Sequence, residues 1–386
     1  MAKNMVICKR FHGLFLSLVI FFASSISIGA DSAEEAPKHS EFLFEIDTNT
    51  PLYGVNENVG LPVGVLNKLM TVLVAAQMIE SGEIAVTDTV SAPSSVMVKG
   101  ASIWLEPGDE ITIDELLRGV IIGNANDAAV TLRSVIDRHE IDFMAAQEEI
   151  VKLLSLSSTS FTNEHGYTEP EKQISSASDL SKIVTALSEY EFSENYFRTK
   201  LDYVRDGNAQ LVNSNRIVQR SKDAIGYKFG YAKETGYCLA AAKDRDGVRY
   251  GVILLGFDDE DKMYARANEL LDFGYENFSS IEPQIPIELP QSLPVKGAMV
   301  DSVPINVSEP GKIVVHNESK SELKAVIALP DYIYAPAKKD DIVGEIHYYL
   351  DDKVIYRLTI HVSEDVNKLS IGNILLILTN SIFNFG

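Results

Sequence analysis

The stretch Leu61-Pro62-Val63-Gly64-Val65-Leu66-Asn67-Lys68-Leu69-Met70-Thr71 opens a run in which Leu66, Leu69, Met70, Leu73, Val74, Ala75, Met78 and Ile79 fall on nearly every side of a helix, up to Gly82. A helix that is apolar all round is a buried one, and a glycine just past its last turn is where such a helix stops. The spacing predicts a core helix over residues 65–81, with Lys68 inside its first turns.

Working outward, Phe42-Leu43-Phe44-Glu45-Ile46 reads as a strand, with Asp47, Asn49 and Thr50 turning the chain out of it. Asp114 and Glu115 open another helix, where the helix dipole favours acids in the first turn. Val252-Ile253-Leu254-Leu255 is a short continuous apolar run and reads as a buried strand. Past residue 282 the composition changes: Pro283, Pro286, Pro290 and Pro294 suit an extended linker. Short β-rich runs follow at residues 312–315 and 323–327, then a hairpin of residues 345–350 and 354–358 across Asp351-Asp352-Lys353. The elements together predict an α+β chain, a helical cluster on a mainly antiparallel sheet, followed by a small all-β domain.

Residues 1–30 read as a secretory signal peptide: Lys3, Lys9 and Arg10 precede an apolar run, and small residues lead to Ala30. The mature chain is expected outside the cytoplasm. Removing the signal takes away three positive charges and no negative one, so the formal charge moves from -21 to -24. A surface that acidic repels nucleic acid and anionic lipid, and argues against either as a partner of the folded body. Cys8 leaves with the signal, and Cys238, in an apolar strand-like run, reads as an inert small hydrophobe. Residues 369–386 carry no charged side chain, with Phe383 and Phe385 near the end. They read as an interfacial membrane anchor or as a tail packed on the β-domain.

Val65-Leu66-Asn67-Lys68-Leu69-Met70-Thr71 stands where a Ser-x-x-Lys-x-Met-Thr motif would, with Pro62 one residue early. Gly123-Asn124-Ala125-Asn126-Asp127-Ala128-Ala129 follows the pattern Gly-x-Ala-Asn-Asp-Ala-Ala, and Lys228-Phe229-Gly230 stands for Lys-Thr-Gly, with Tyr231 next and a strand after it. On these motifs, in this order, the chain resembles the serine D-alanyl-D-alanine carboxypeptidases, peptidase S11, the low-molecular-weight penicillin-binding proteins. The resemblance implies the penicillin-binding-protein/β-lactamase-like transpeptidase fold, with a carboxypeptidase-like domain over residues 35–280, a β-domain over 281–365 and a hydrophobic tail over 366–386. It implies an extracytoplasmic place at the bacterial membrane or wall, a membrane contact through the tail, and no cofactor or metal.

In the resembling enzymes the motif serine is acylated and the lysine takes up its proton. Here the nucleophile position is Val65, the proton-relay position is Asn124 and the hydroxyl that binds the ligand's carboxylate is replaced by Phe229, so three hydroxyls are lost while Lys68, Asn126, Lys228 and Gly230 are kept. Val65 has no proton to give and no lone pair, and a neutral Asn124 amide relays no proton usefully near neutral pH. Asn126 is expected to hold Lys68 through its carbonyl oxygen. Phe229 either fills the carboxylate subsite or turns into the core, and Gly230 and the Tyr231 amide could still shape an oxyanion site. His165 resembles part of a structural turn, Lys233-Glu234-Thr235-Gly236 a strand connection, and Thr71, Ser94, Ser95 and Ser102 do not obviously inherit the nucleophile's place. The expectation is a carboxypeptidase homologue that binds a peptidoglycan stem peptide or an envelope protein without acylation. The alternative is an active carboxypeptidase using an unidentified nucleophile.

Overall fold

The computed structural model describes residues 37–139, 141–370 and 372; the expected signal peptide and the tail from 373 on lie outside the described residues. The described chain forms two compact units, divided between Asn277 and Phe278.

The first unit is built on a five-stranded sheet, in spatial order Thr50–Val55, Ser40–Glu45, Val248–Phe257, Gly236–Arg245 and Ala224–Ala232. Neighbours pair antiparallel throughout. In the strand Val248–Phe257 the run Val252-Ile253-Leu254-Leu255 is fully buried, with the helix Ala177–Ser188 and the helix Glu260–Asn277 both packed on it. A strand covered on both faces must be apolar at every position, which is why this run shows no alternation.

The helix Lys68–Glu80 is buried along nearly its whole length and sits at the centre of the helical cluster, touching the helices Ile113–Ile121, Asn126–Arg138, Phe143–Leu153 and Ala177–Ser188. Its expected first turn is instead a 3₁₀ turn, Gly64–Asn67. The chain enters it through Gly64 at φ +51, and the backbone of Gly166 lies so close that a Cβ there would stand 2.2 Å from the Gly64 carbonyl oxygen. The helix Ile113–Ile121 begins where its acids suggested and is closed by a reciprocal cap: Thr112 accepts from the Glu115 amide, and Glu115 accepts from the Thr112 amide.

The second unit has a two-stranded ladder, Phe278–Ile281 with Ile313–His316, and a six-stranded sheet. The sheet runs Lys324–Ala328, Ile342–Leu350, Lys353–Val362, Ser302–Val307, Ser292–Lys296 and Ile333–Tyr334 in space. The hairpin turns on Asp351 and Asp352 alone, at φ 48 and 60, the double left-handed geometry that matches strand twist, so Lys353 belongs to the strand and not to the turn. Pro294, expected in the linker, is inside the strand Ser292–Lys296. It is tolerated because the parallel neighbour begins only opposite Val295, leaving Pro294 a single ladder partner, Ser302. Leu293, Ile305, Ile346, Tyr348, Leu358 and Ile360 form this unit's main core. Pairing continues past the last strand through Val366 to Ala337 and Lys368 to Ala298, with the Leu369 amide donating to the Gly297 carbonyl at 2.8 Å. Among the described residues no helix is long and apolar enough to cross a membrane.

Candidate functional site

The 3₁₀ turn Gly64–Asn67 lies against the edge strand Ala224–Ala232. Val65, half-buried, packs so tightly on Gly230 that a Cβ at that glycine would be 2.1 Å from Val65 Cγ2. Only a residue without a side chain fits opposite. The position expected to carry a nucleophile therefore presents two methyl groups to the strand, with no group that could be acylated.

On either side of this contact lies a lysine. Lys68 is fully buried and its Nζ donates to the His165 carbonyl at 2.8 Å. Asn126 does not hold it, contrary to the expectation: the Asn126 amide nitrogen donates instead to the Lys99 carbonyl at 2.6 Å. Lys228 reaches from the edge strand to the end of the helix Ile113–Ile121, donating to the carbonyls of Val120 at 2.6 Å and Ile121 at 3.3 Å. Those carbonyls lack partners inside their own helix, so the amine satisfies them. Burial pushes the Lys228 amine down to about 7. Burial also holds Lys68 well below the ordinary lysine range, the nearby Lys228 adds to the effect, and Glu164 and Asp127 oppose it. Near neutral pH the Lys228 amine is thus poised to lose or gain a proton, and both amines have backbone carbonyls as their hydrogen-bond partners.

Asn124 stands at φ +55, a left-handed conformation asparagine tolerates better than most residues, and its side-chain oxygen is buried without a partner among the described residues. The next two polar residues tie down the loop opposite. Besides the bond to Lys99, the Asn126 backbone amide donates to the Ala101 carbonyl, and Gly100 is pressed so close that a Cβ would be 2.5 Å from Asn126 Nδ2. Asp127 accepts from Ser102 Oγ at 2.6 Å and from the amides of Ile103 and Leu105. Trp104, between those two amides, is held at φ +63 with its side chain 71% exposed.

Phe229 turns away from Val65. Its ring lies 5.7 Å from Tyr264 and 6.3 Å from Tyr237, on the face of the sheet covered by the helix Glu260–Asn277. Of its two possible placements the core-facing one holds, so the position contributes neither a hydroxyl nor a plug. Tyr231, on the same face of the strand, is 58% exposed and packed on Tyr237 at 4.4 Å. His165 lies in a turn, its Nδ1 accepting from the Tyr167 amide. Residues 233–235 connect two strands through a bond from the Thr235 amide to the Ala232 carbonyl. The Cys238 thiol is buried, and burial pushes it up to about 11. Among the described residues no group of three or more His, Cys, Asp or Glu could hold a metal ion.

The structure adds residues that the sequence did not single out for the site. Thr71 Oγ1 donates to the Glu164 carbonyl, and the Glu164 carboxylate pairs with Arg133 at 2.9 Å, which locks residues 163–166 over the 3₁₀ turn. Asp127 was visible within its motif, but its grip on residues 102–105 was not.

A helical cluster on an antiparallel sheet, with two lysines converging on the junction of a buried helix and an edge strand, is the arrangement of penicillin-interacting serine peptidases. The family profile described as D-alanyl-D-alanine carboxypeptidase matches residues 29–259, and that of the penicillin-binding protein 5 C-terminal domain matches residues 286–368. The chain belongs to the D-alanyl-D-alanine carboxypeptidase family. It is 30% identical over 334 residues to D-alanyl-D-alanine carboxypeptidase DacF of Bacillus subtilis, covering 85% of this chain and 86% of that one. Against DacC of Escherichia coli it is 26% identical over 364 residues, 91% and 90% of the two chains. Penicillin-binding protein 5 of Haemophilus influenzae shares the fold at a TM-score of 0.75 and 23% identity, covering 88% of this chain and all of that one.

The lowered Lys228 amine has a measurable consequence. Its folded value, about 7, lies below the value of about 10.4 for a free lysine, so between these limits the unfolded chain binds the extra proton and stability rises with pH. Lys68, displaced in the same direction, adds to the slope. Lys228→Met is expected to remove up to about 1.4 kcal/mol per pH unit from the rise in unfolding free energy between about pH 7.5 and 9.5. Urea titrations of both proteins at three pH values check this; equal slopes would mean that Lys228 is charged in the folded chain.

Proposed function

We propose that this carboxypeptidase-like chain works at the cell envelope by binding rather than by acyl transfer. Its ligand is the D-alanyl-D-alanine end of a peptidoglycan stem peptide or an envelope protein that takes that place. The observation that carries the reading is Val65 seated on Gly230 beside Lys68 and Lys228: the amines that would manage a serine's proton remain, and the serine does not. Neighbouring hydroxyls are engaged elsewhere, Thr71 as a donor to Glu164 and Ser102 as a donor to Asp127.

Binding needs less than catalysis, and the retained groups suit it. An arriving carboxylate favours the charged form of a nearby amine, so Lys228, at about 7, would take up a proton as the ligand binds. The carbonyls of Val120 and Ile121 stabilise that ammonium. The missing hydroxyl at Phe229 removes one donor, a loss on the order of 1 kcal/mol or more. Export by the leader and attachment through the uncharged segment 371–386 complete the reading, since that segment carries apolar side chains without the Lys or Arg that would make binding electrostatic.

Long incubation with penicillin should leave the intact mass of the protein unchanged, because no side chain at the acylation position offers an activated oxygen. A stoichiometric increase equal to the drug would overturn the proposal. Val65→Ser alone should remain inactive toward D-alanine release, since Asn124 relays no proton and Phe229 supplies no donor; groups that work as a unit are lost and regained together. Turnover by the single variant would show those two positions to be dispensable.

Truncation after Ser370 should release the protein from membranes and leave its melting temperature unchanged, as the pairing at Val366 and Lys368 is retained. Apolar burial at about 25 cal/mol per Å² gives reversible attachment that resists salt. A sharply lowered melting temperature with membrane association intact would make the segment part of the core.

A further inference from the structure

Trp104 is the chain's single tryptophan, and nothing in the reading above uses it. A bulky side chain at φ +63 is a strained placement, and here the strain is not offset by burial, because the ring is 71% exposed. The backbone around it is nevertheless fixed on every side. Ser102 Oγ accepts from the Trp104 amide at 2.8 Å, Asp127 accepts from the amides of Ile103 and Leu105, and Arg205 donates to the carbonyls of Ile103 and Trp104. Arg205 is itself held by Asp109 at 2.6 Å, and its amide donates to Glu115 at 2.7 Å. A backbone fixed in this way presents the exposed aromatic side chain from one set place on the surface.

The same arginine ties this loop to the hairpin Leu201–Val204 and Ala209–Val212. The outward face of that hairpin carries Leu201, Tyr203, Gln210 and Val212. Gln210 Nε2 donates to the Tyr203 hydroxyl at 3.0 Å, and Arg118 clamps the hairpin by donating to the Tyr203 carbonyl and the Asp202 carboxylate. The loop and the hairpin that Arg205 bonds together thus each present an exposed aromatic residue, and the hairpin adds a planar amide and a phenol. This surface is also continuous with the candidate site, since Asn126 and Asp127 hold the loop that bears Trp104.

We propose that Trp104, with the Tyr203 and Gln210 pair on the hairpin that Arg205 bonds to its loop, is a stacking platform for a neutral chain of β-linked amino sugars. This rests on the wall-binding reading and names the second part of the ligand: the glycan strand that carries the peptide. A pyranose ring with equatorial substituents has an apolar C–H face that lies on an aromatic ring, while its hydroxyl and acetamido groups point outward to amide and phenol partners. The other common partners of an exposed aromatic platform are nucleic-acid bases and anionic lipid, and a formal charge of -21 repels both.

Because Trp104 is the sole tryptophan, its emission reports directly on the platform. Titration of the full chain with chitotetraose, an uncharged β-1,4 tetramer of N-acetylglucosamine, should give a saturable blue shift. By calorimetry, Trp104→Ala should weaken binding about tenfold or more, and Trp104→Phe should stay within about threefold of the parent. Melting curves should coincide, since the side chain removed is exposed. Unchanged emission up to about 10 mM sugar, or undiminished binding by Trp104→Ala, overturns the proposal. A sugar-free peptide ending in D-alanyl-D-alanine separates the two readings. If it binds while the sugar does not, the platform is refuted and peptide binding stands; if the sugar alone binds, the platform stands and peptide binding is refuted. Emission shifted by an envelope protein fraction and not by the sugar also overturns the proposal.

Discussion

Two lysine amines buried near one another, with backbone carbonyls as their hydrogen-bond partners, set the terms for everything around the junction of helix and edge strand. An isolated ammonium in such a place would cost several kcal/mol, and the chain avoids that cost by letting the amines shed their protons more easily. Lys228 is pushed down to about 7, and Lys68 is held well below its ordinary range by the same cause. Each amine still needs an acceptor, so the fold supplies one: the open carbonyls at the end of the helix Ile113–Ile121 for Lys228, and the carbonyl of His165 for Lys68. Positions of whole elements follow. The turn at residues 163–166 must lie over the 3₁₀ turn Gly64–Asn67, and the contacts of Gly166, Thr71 and Glu164 keep it there.

Beside Lys68, Val65 packs on Gly230. Methyl groups packed on a strand backbone stabilise by dispersion and exclusion of water. The three positions where the family motifs carry hydroxyls have different structural roles here. Val65 has become part of the packing, Asn124 occupies a left-handed position suited to it, and Phe229 has joined Tyr264 and Tyr237 on the opposite face of the sheet. Asn126 and Asp127, by contrast, organise the loop that faces them, and through that loop they hold the backbone on either side of Trp104.

Much of this was legible in the sequence where one physical cause dominates. The all-round apolar run marked the central helix, the unbroken run at residues 252–255 marked a strand covered on both sides, and Asp114 and Glu115 marked a helix start. The motif order marked the family. What the sequence left open depends on partners distant along the chain. The 3₁₀ turn packs against Gly166, about a hundred residues away, and no local periodicity carries that information. Whether Phe229 faced the site or the core depended on which face of the edge strand its position occupies, which the pairing with the strand Gly236–Arg245 and its irregularity near Ala240 decide. Asn126 was expected to hold Lys68 because it matches the family asparagine that bonds the motif lysine, yet a carbonyl serves as acceptor as well as an amide does, and His165 supplies it. Trp104 was not singled out in the sequence; it sits at positive φ in a loop where its own amide donates to Ser102, Arg205 donates to the Ile103 carbonyl, and Asp127 accepts from the amides of Ile103 and Leu105.

The central claim is that the amines at Lys68 and Lys228 persist without a nucleophile to serve. Incubating the pure protein with a peptide ending in D-alanyl-D-alanine and measuring free D-alanine over time tests it most directly. The account predicts release no faster than in buffer alone, with the peptide recovered intact. Release that rises with protein concentration and disappears in Lys68→Met would contradict it, because the buried amine would then be activating a nucleophile other than Val65.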